Sequence, residues 1–146
     1  MVDSKQAIYQ RIPHREPFLW VDRIISLTPE AIITEKDIPT DLALFQGHYP
    51  GNPIMPGVLL CEAVFQSGSL LIAEILGAGL AGTEKAPVLT RIQGAKFKRP
   101  VRPGETIVIQ VKLTERVGPV WFMSGKVLVH DKVAVKVEFG CAMAGD

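Results

Sequence analysis

Two stretches near the C-terminus alternate apolar and polar positions with a period of two. Ile107, Ile109, Val111 and Leu113 interleave with Thr106, Val108, Gln110, Lys112 and Thr114. Val133, Val135, Val137 and Phe139 interleave with Lys132, Ala134, Lys136 and Glu138. Such alternation predicts strands with one buried face. Val88 to Arg99 and Val120 to His130 read as further strands, with hairpin turns at Gly118–Pro119 and Asp131–Lys132. In the N-terminal half, Trp20 to Leu27 and Ala31 to Ile38 read as strands around the turn Thr28-Pro29-Glu30. Residues 3–11 suit a short amphipathic helix capped by Asp3 or Ser4, and Asp41 to Gln46 a helical turn.

The middle of the chain follows another pattern. From about Pro56 to Leu76 the positions are apolar on nearly every side, which predicts one long helix. Pro56 suits the first helical position, where an N–H would be unpaired anyway. Gly77, Gly79 and Gly82 mark the helix end and a mobile connection. The expected architecture is α+β: an antiparallel sheet of about five or six strands with one long helix packed on it, in a single domain spanning 1–146. One sheet face does not cover a helix that is apolar all round, so a second subunit is the expected cover.

Composition sharpens this picture. The chain has 146 residues, 47% of them hydrophobic and 21% charged, and a mean hydropathy of +0.22. Disorder is excluded by that balance. The apolar run Gly57–Ala73 is shorter than the roughly 20 residues a spanning helix needs, and it contains Glu62 and Gln66. It therefore reads as a helix buried in a soluble protein, with no membrane partner. Sixteen Lys and Arg against 15 Asp and Glu leave a net charge of +1, too little for a nucleic-acid binder. Cys61 and Cys141 stand apart without metal-ligand spacing, so no metal is expected and a reducing compartment is. The polar N-terminus shows no secretory signal, which points to the cytoplasm.

The chemistry concentrates in two features. The loop Gly47-His48-Tyr49-Pro50-Gly51-Asn52-Pro53-Ile54-Met55-Pro56-Gly57 is stiffened by prolines at every third position. Glu62 lies among apolar neighbours, and Gln66 and Ser69 share its helix face. Each alone has a plain structural reading, as a loop histidine bonded to backbone and a core carboxylate held by a partner. Together they suggest chemistry. A histidine in a rigid loop suits a general base, and a buried carboxyl suits a proton donor. The bare N–H of Gly57 at the helix start suits a developing oxyanion. This set matches loss of water from a 3-hydroxyacyl thioester. Lys96, Lys98, Arg99 and Arg102 form a basic cluster, read either as a solvated strand edge or as a dock for an acidic partner. His14 reads as a structural turn residue, His130 as exposed and Cys61 as packing.

The segment GHYPGNPIMPGVLLCEAVFQ closely resembles the signature of the (3R)-hydroxyacyl-acyl-carrier-protein dehydratases of fatty-acid synthesis, in the FabZ-type branch. IPHREPFLWVDRI at 12–24, AKFKRPVRPGE at 95–105 and the Trp121…Gly125…Asp131 region agree with it. The resemblance implies a hot-dog fold, with the sheet wrapped around the central helix. It implies a homodimer, assembled as a trimer of dimers, with active sites at the dimer interface. His48 from one subunit would act with Glu62 from the other, and no cofactor is implied. By motif, His48 matches the catalytic histidine and Glu62 the catalytic carboxylate. Gly57 matches the carbonyl-binding glycine, and Gln66 the glutamine that holds the carboxylate. Val58 and Phe65 are placed with them as substrate-binding residues. The acidic partner implied for Lys96, Lys98, Arg99 and Arg102 is the acyl carrier protein. Tyr49 replaces the usual Phe, and Arg91-Ile92-Gln93 replaces a common Gly-Ile-Asp. Phe65 stands where this branch usually has a small residue, so its bulk bears on the acyl tunnel.

The expected reaction converts (3R)-hydroxyacyl carrier-protein thioesters to trans-2-enoyl thioesters, with His48 as base, Glu62 as acid or water-orienting carboxylate and the Gly57 N–H polarising the thioester carbonyl. Two rivals are a hot-dog thioesterase, with Glu62 activating water, and a non-catalytic acyl-binding subunit of the same fold.

Overall fold

The computed structural model describes residues 5–77 and 86–143. Asp3 and Ser4, the expected caps, lie outside the described residues, as do Gly79 and Gly82. The elements run α1 (Lys5–Arg11), β1 (Arg23–Leu27), β2 (Ala31–Asp37), a 3-10 turn (Ala43–Gln46), α2 (Gly57–Leu76), β3 (Pro87–Phe97), β4 (Thr106–Val117), β5 (Val120–Val129) and β6 (Lys132–Met143). The strands form one sheet in the order β1-β2-β4-β5-β6-β3, antiparallel throughout. With α2 packed against it, this is the α+β hot-dog arrangement.

Period two holds most cleanly in β5, where Trp121, Met123, Gly125, Val127 and Val129 face inward and every second residue faces out. The helix passes closest at Gly125, where an added Cβ would collide with Val64 Cγ1. The β5–β6 turn lies at His130–Asp131, one residue earlier than expected. Both residues adopt positive φ, 50° and 63°, the left-handed pair that a two-residue hairpin of type I′ requires. Asp tolerates that region through local hydrogen bonding, and its place in the turn was legible. The starting residue was not. The first strand begins at Arg23 rather than Trp20, because Trp20 and Val21 belong to a covering segment.

That covering segment alters the expectation for α2. Along the helix, Leu60, Cys61 and every residue from Ala63 to Ala73 are buried within the one chain. The sheet covers one side. The N-terminal segment covers the other, through the fully buried Ile8 and Ile12 and through Leu19 and Trp20. The chain therefore supplies the cover that a second subunit was expected to provide. By length and hydropathy α2 could span a bilayer, but 72% of its most apolar window is buried inside the fold. That identifies it as a core helix.

Uncovered apolar surface lies elsewhere. From Val88 to Phe97 every residue of β3 is exposed, including Val88, Leu89, Ile92 and Phe97. This is an 11-residue edge strand with an apolar flank, the kind of edge that pairs with another chain. On the outer face of the sheet, Lys96 lies opposite Lys136 and Lys136 opposite Lys126. They line a groove of about 840 Å³ together with Gln110, Lys112 and Ser124.

Candidate active site

The 47–56 loop is fastened at several points. Asn52 N–H donates to the Tyr49 carbonyl at 3.0 Å, and Met55 N–H to the Val101 carbonyl at 2.7 Å. Tyr49 and Gly51 adopt positive φ, 58° and 85°, which reverses the chain and leaves His48 half-buried at the loop's inner end. The His48 Nδ1 lies 2.8 Å from the Ile54 carbonyl oxygen. A carbonyl only accepts, so Nδ1 carries a proton, and in the neutral ring Nε2 is the nitrogen with the lone pair. The Tyr49 ring packs edge-on against His48, with centroids 4.8 Å apart.

The start of α2 differs from the expectation in one detail. Pro56 is the N-cap, not the first helical residue, and it offers no side-chain cap. Its carbonyl accepts from Leu59 and Leu60 N–H at 3.0 and 3.2 Å. The N–H groups of Gly57 and Val58 have no partner among the described residues, as at any uncapped helix start. A Cβ on Gly57 would meet Phe97 Cε1 at 2.7 Å, so the exposed ring would have to shift. Val58, beside it, is 73% exposed.

One turn further on, Glu62 accepts a hydrogen bond from Gln66 Nε2 at Oε2, 3.1 Å away. Gln66 is almost wholly buried. Its amide also donates to the Phe18 carbonyl at 2.9 Å, and its oxygen accepts from Trp20 N–H at 2.8 Å. The glutamine thus fastens the covering segment to α2 while holding the carboxylate. Ser69 bonds back to the Phe65 carbonyl instead and takes no part. Phe65 is buried against Phe139, with ring centroids 4.9 Å apart and an interplanar angle of 60°.

Sequence reasoning passed over His14. Its Nε2 stands 3.9 Å from Glu62 Oε2, and its Nδ1 is buried without a hydrogen-bond partner. Burial holds the imidazole below its usual value, against an upward pull from Glu62 and with a further push down from Arg15. The contact joins residues 48 positions apart, so no local pattern announces it. On the opposite flank, burial and then the Glu62 charge push the Cys141 thiol up to about 12. Burial likewise raises Cys61, so both thiols are packing groups. No three His, Cys, Asp or Glu side chains gather into a metal-binding group among the described residues.

The structure divides the expected residues into sets. Gly57, Val58, Glu62 and Gln66 share the first three turns of α2. His48 and Glu62 make no hydrogen bond or ion pair with each other among the described residues. The four basic residues have different surroundings. Lys96 faces the outer groove, Lys98 and Arg99 N–H both donate to the Ala134 carbonyl, and Arg102 donates to Asn52 Oδ1 at 2.7 Å. Arg102 alone of the four touches the loop that carries His48. The outer groove is lined by none of His48, Gly57, Glu62 or Gln66.

Known proteins resemble the chain in both sequence and fold. A 3-hydroxyacyl-[acyl-carrier-protein] dehydratase FabZ from Paracidovorax citrulli is 40% identical over 144 residues, covering 98% of this chain and 97% of that protein. Its counterpart from Novosphingobium aromaticivorans is 43% identical over 140 residues, covering 95% and 87%. Among solved structures, the dehydratase heterocomplex ApeI:P from Xenorhabdus doucetiae superposes with a TM-score of 0.78 at 13% identity, covering 95% of this chain and 91% of that one. Thioesterase superfamily member 2 from Mus musculus superposes with a TM-score of 0.59 at 18% identity, covering 84% and 80%. These two structures share the fold. The FabA-like domain model matches residues 12–138, and with those full-length relatives it shows that the chain belongs to the FabZ-type 3-hydroxyacyl-[acyl-carrier-protein] dehydratase family.

Proposed function

We propose that the chain dehydrates (3R)-hydroxyacyl-acyl-carrier-protein to trans-2-enoyl-acyl-carrier-protein in fatty-acid biosynthesis. The observation that carries this is the His48 ring, pinned through Nδ1 to the Ile54 carbonyl with Nε2 left as a proton acceptor. Nε2 removes a proton from C2 of the thioester, and charge moves onto the carbonyl oxygen. The uncapped Gly57 N–H stabilises that oxyanion. As the C2–C3 double bond forms, the C3–O bond breaks. The hydroxyl leaves as water with a proton from Glu62, directly or through a bridging water. The proton taken by His48 returns to Glu62 through solvent, which closes the cycle.

The chain acts as a homodimer joined along β3, and the dimers assemble as a trimer. Two features support the dimer: the exposed apolar edge of β3, and the lack of a contact between His48 and Glu62 within one chain. His48 of one copy then serves the Glu62 of the other. Val58 and Phe65 line the acyl path, and the basic residues Lys96, Lys98, Arg99 and Arg102 receive the acidic carrier protein in the cytoplasm.

The test is hydration of a crotonyl thioester, followed by loss of enoyl absorbance, with free thiol measured alongside. Hydration in the wild type and a loss of roughly 10²- to 10⁴-fold in His48→Ala is expected. Thiol release without hydration, or full activity in His48→Ala, would overturn the reading. Light scattering reports the assembly.

A further inference from the structure

His14 stands beside the site carboxylate and has no role in the chemistry above. Its Nε2 faces Glu62 Oε2 at 3.9 Å, and the same oxygen accepts from Gln66 at 3.1 Å. Two nitrogens therefore converge on Oε2, while Oε1 has no partner among the described residues. The backbone that presents His14 is fastened by its neighbour. The Arg15 guanidinium donates to the carbonyls of Ile12, His14 and Tyr9 at 2.8, 2.7 and 3.0 Å and lies over the Tyr9 ring.

A histidine serving only the turn would bond its ring to nearby backbone. Here Nδ1 is buried without a hydrogen-bond partner, and the other ring nitrogen points at a carboxylate. Burying an unmade bond is unfavourable, so such an atom calls for an explanation. Burial lowers the ring's proton affinity despite the pull of Glu62. The ring is accordingly mostly neutral near pH 7, and a carboxylate neighbour favours the tautomer with the proton on Nε2. At 3.9 Å the contact is longer than a hydrogen bond. Catalytic contacts of this kind tighten when substrate fills the site.

We infer that His14 is a positioning residue: with Gln66 it holds Glu62 by Oε2, so that Oε1 is the oxygen presented to the leaving hydroxyl. This rests on the proposed part of Glu62 in dehydration. The charged and titratable groups around the pair are Arg15 beside His14 in the covering segment, and Cys141 on β6, which senses the Glu62 charge.

Two measurements on the full-length protein test the inference. In the first, His14→Phe and His14→Gln are compared with wild type in the crotonyl thioester assay. His14→Phe is expected to lower kcat roughly ten- to hundredfold, the scale of a small misplacement of a reacting group. KM should stay within about twofold, since His14 does not touch substrate. His14→Gln keeps an N–H donor and should recover most of the loss. Wild-type kcat in His14→Phe, or equal losses in both variants, would overturn the inference. The second measurement needs no turnover and no His14 variant that folds. The His14 ring titration is followed by NMR in wild type and Glu62→Gln. Removing the carboxylate should lower the His14 midpoint, and an unchanged midpoint would overturn the inference. An inactive wild type would instead sink the dehydratase reading, while the NMR shift still judges the pairing.

Discussion

The two edges of the sheet are finished in opposite ways. β1 is five residues long and is stitched into a charged network. Arg23 pairs with Glu35 at 2.7 Å and with Asp37 at 2.8 Å, and Asp22 takes both Lys5 and Lys36 at 2.9 and 3.2 Å. Asp22 also accepts the Asp37 N–H. β3 has more than twice the length and exposes Ile92 and Phe97 at 51 and 56%. Short, charged edges resist pairing, and long apolar ones invite it. The contrast leaves the β3 edge as the side to which the proposed second copy would add. Phe97 on the open edge also lies against Gly57 at the start of α2, where the proposed oxyanion site lies.

The strongest way to break this contrast is to charge the open edge. Ile92→Glu with Phe97→Glu should leave a folded monomer by light scattering. Activity should fall at least about a hundredfold, because separating the copies parts His48 from Glu62. A dimer with full activity would remove β3 from the seam. Next in size is Gly57→Ala, whose Cβ would press the Phe97 ring beside the proposed oxyanion site. A loss of about ten- to hundredfold in kcat is expected, comparable to losing one oxyanion donor.

On the closed side the effects are smaller and concern stability. Gln66→Ala would strand the buried Trp20 N–H and free the covering segment. It should cost about 1–3 kcal/mol in denaturant unfolding. Acid should loosen β1 selectively. Hydrogen bonds from Arg23, then Thr106, hold the Asp37 carboxyl at about 2, from an ordinary value of 3.8. Burial raises Asp22, but the bonds from Lys5, the Asp37 N–H and Lys36 outweigh it and hold it low. Their stabilisation is complete above the unfolded values near 3.8 and is lost as pH falls toward about 2. Amide exchange in β1 should accelerate over that range while the apolar contacts of β3 stay unchanged. The smallest effect is Arg23→Gln, at most about 1 kcal/mol, since the pair is partly solvated. Thermal unfolding would show it.

Much of this was readable from the chain. Period-two alternation located β4 and β6, and the unbroken apolar run located α2, because both patterns are local consequences of burial. The cover of α2 was not readable. It depends on Trp20 N–H meeting Gln66 across 46 positions, a pairing that no periodicity encodes. Pro13-His14-Arg15 looks like a turn because it is one, and its approach to Glu62 appears only when the chain folds back. Of the basic residues Lys96, Lys98, Arg99 and Arg102, only Lys96 lies within β3, which ends at Phe97, and the other three follow in the connection to β4. Of the groups around Glu62, Gln66 was legible because it lies one turn along the same helix, and His14 was not.

Tyr49 sits in left-handed backbone at φ 58°, where a bulky side chain is disfavoured by about 1–2 kcal/mol. Glycine at that position would relieve the conformation but would strip away the ring that rests on His48. A search for thermostable variants would therefore select Tyr49→Gly, and the same change would loosen the base. If His48 is the base as proposed, stability and turnover would pull in opposite directions at this residue.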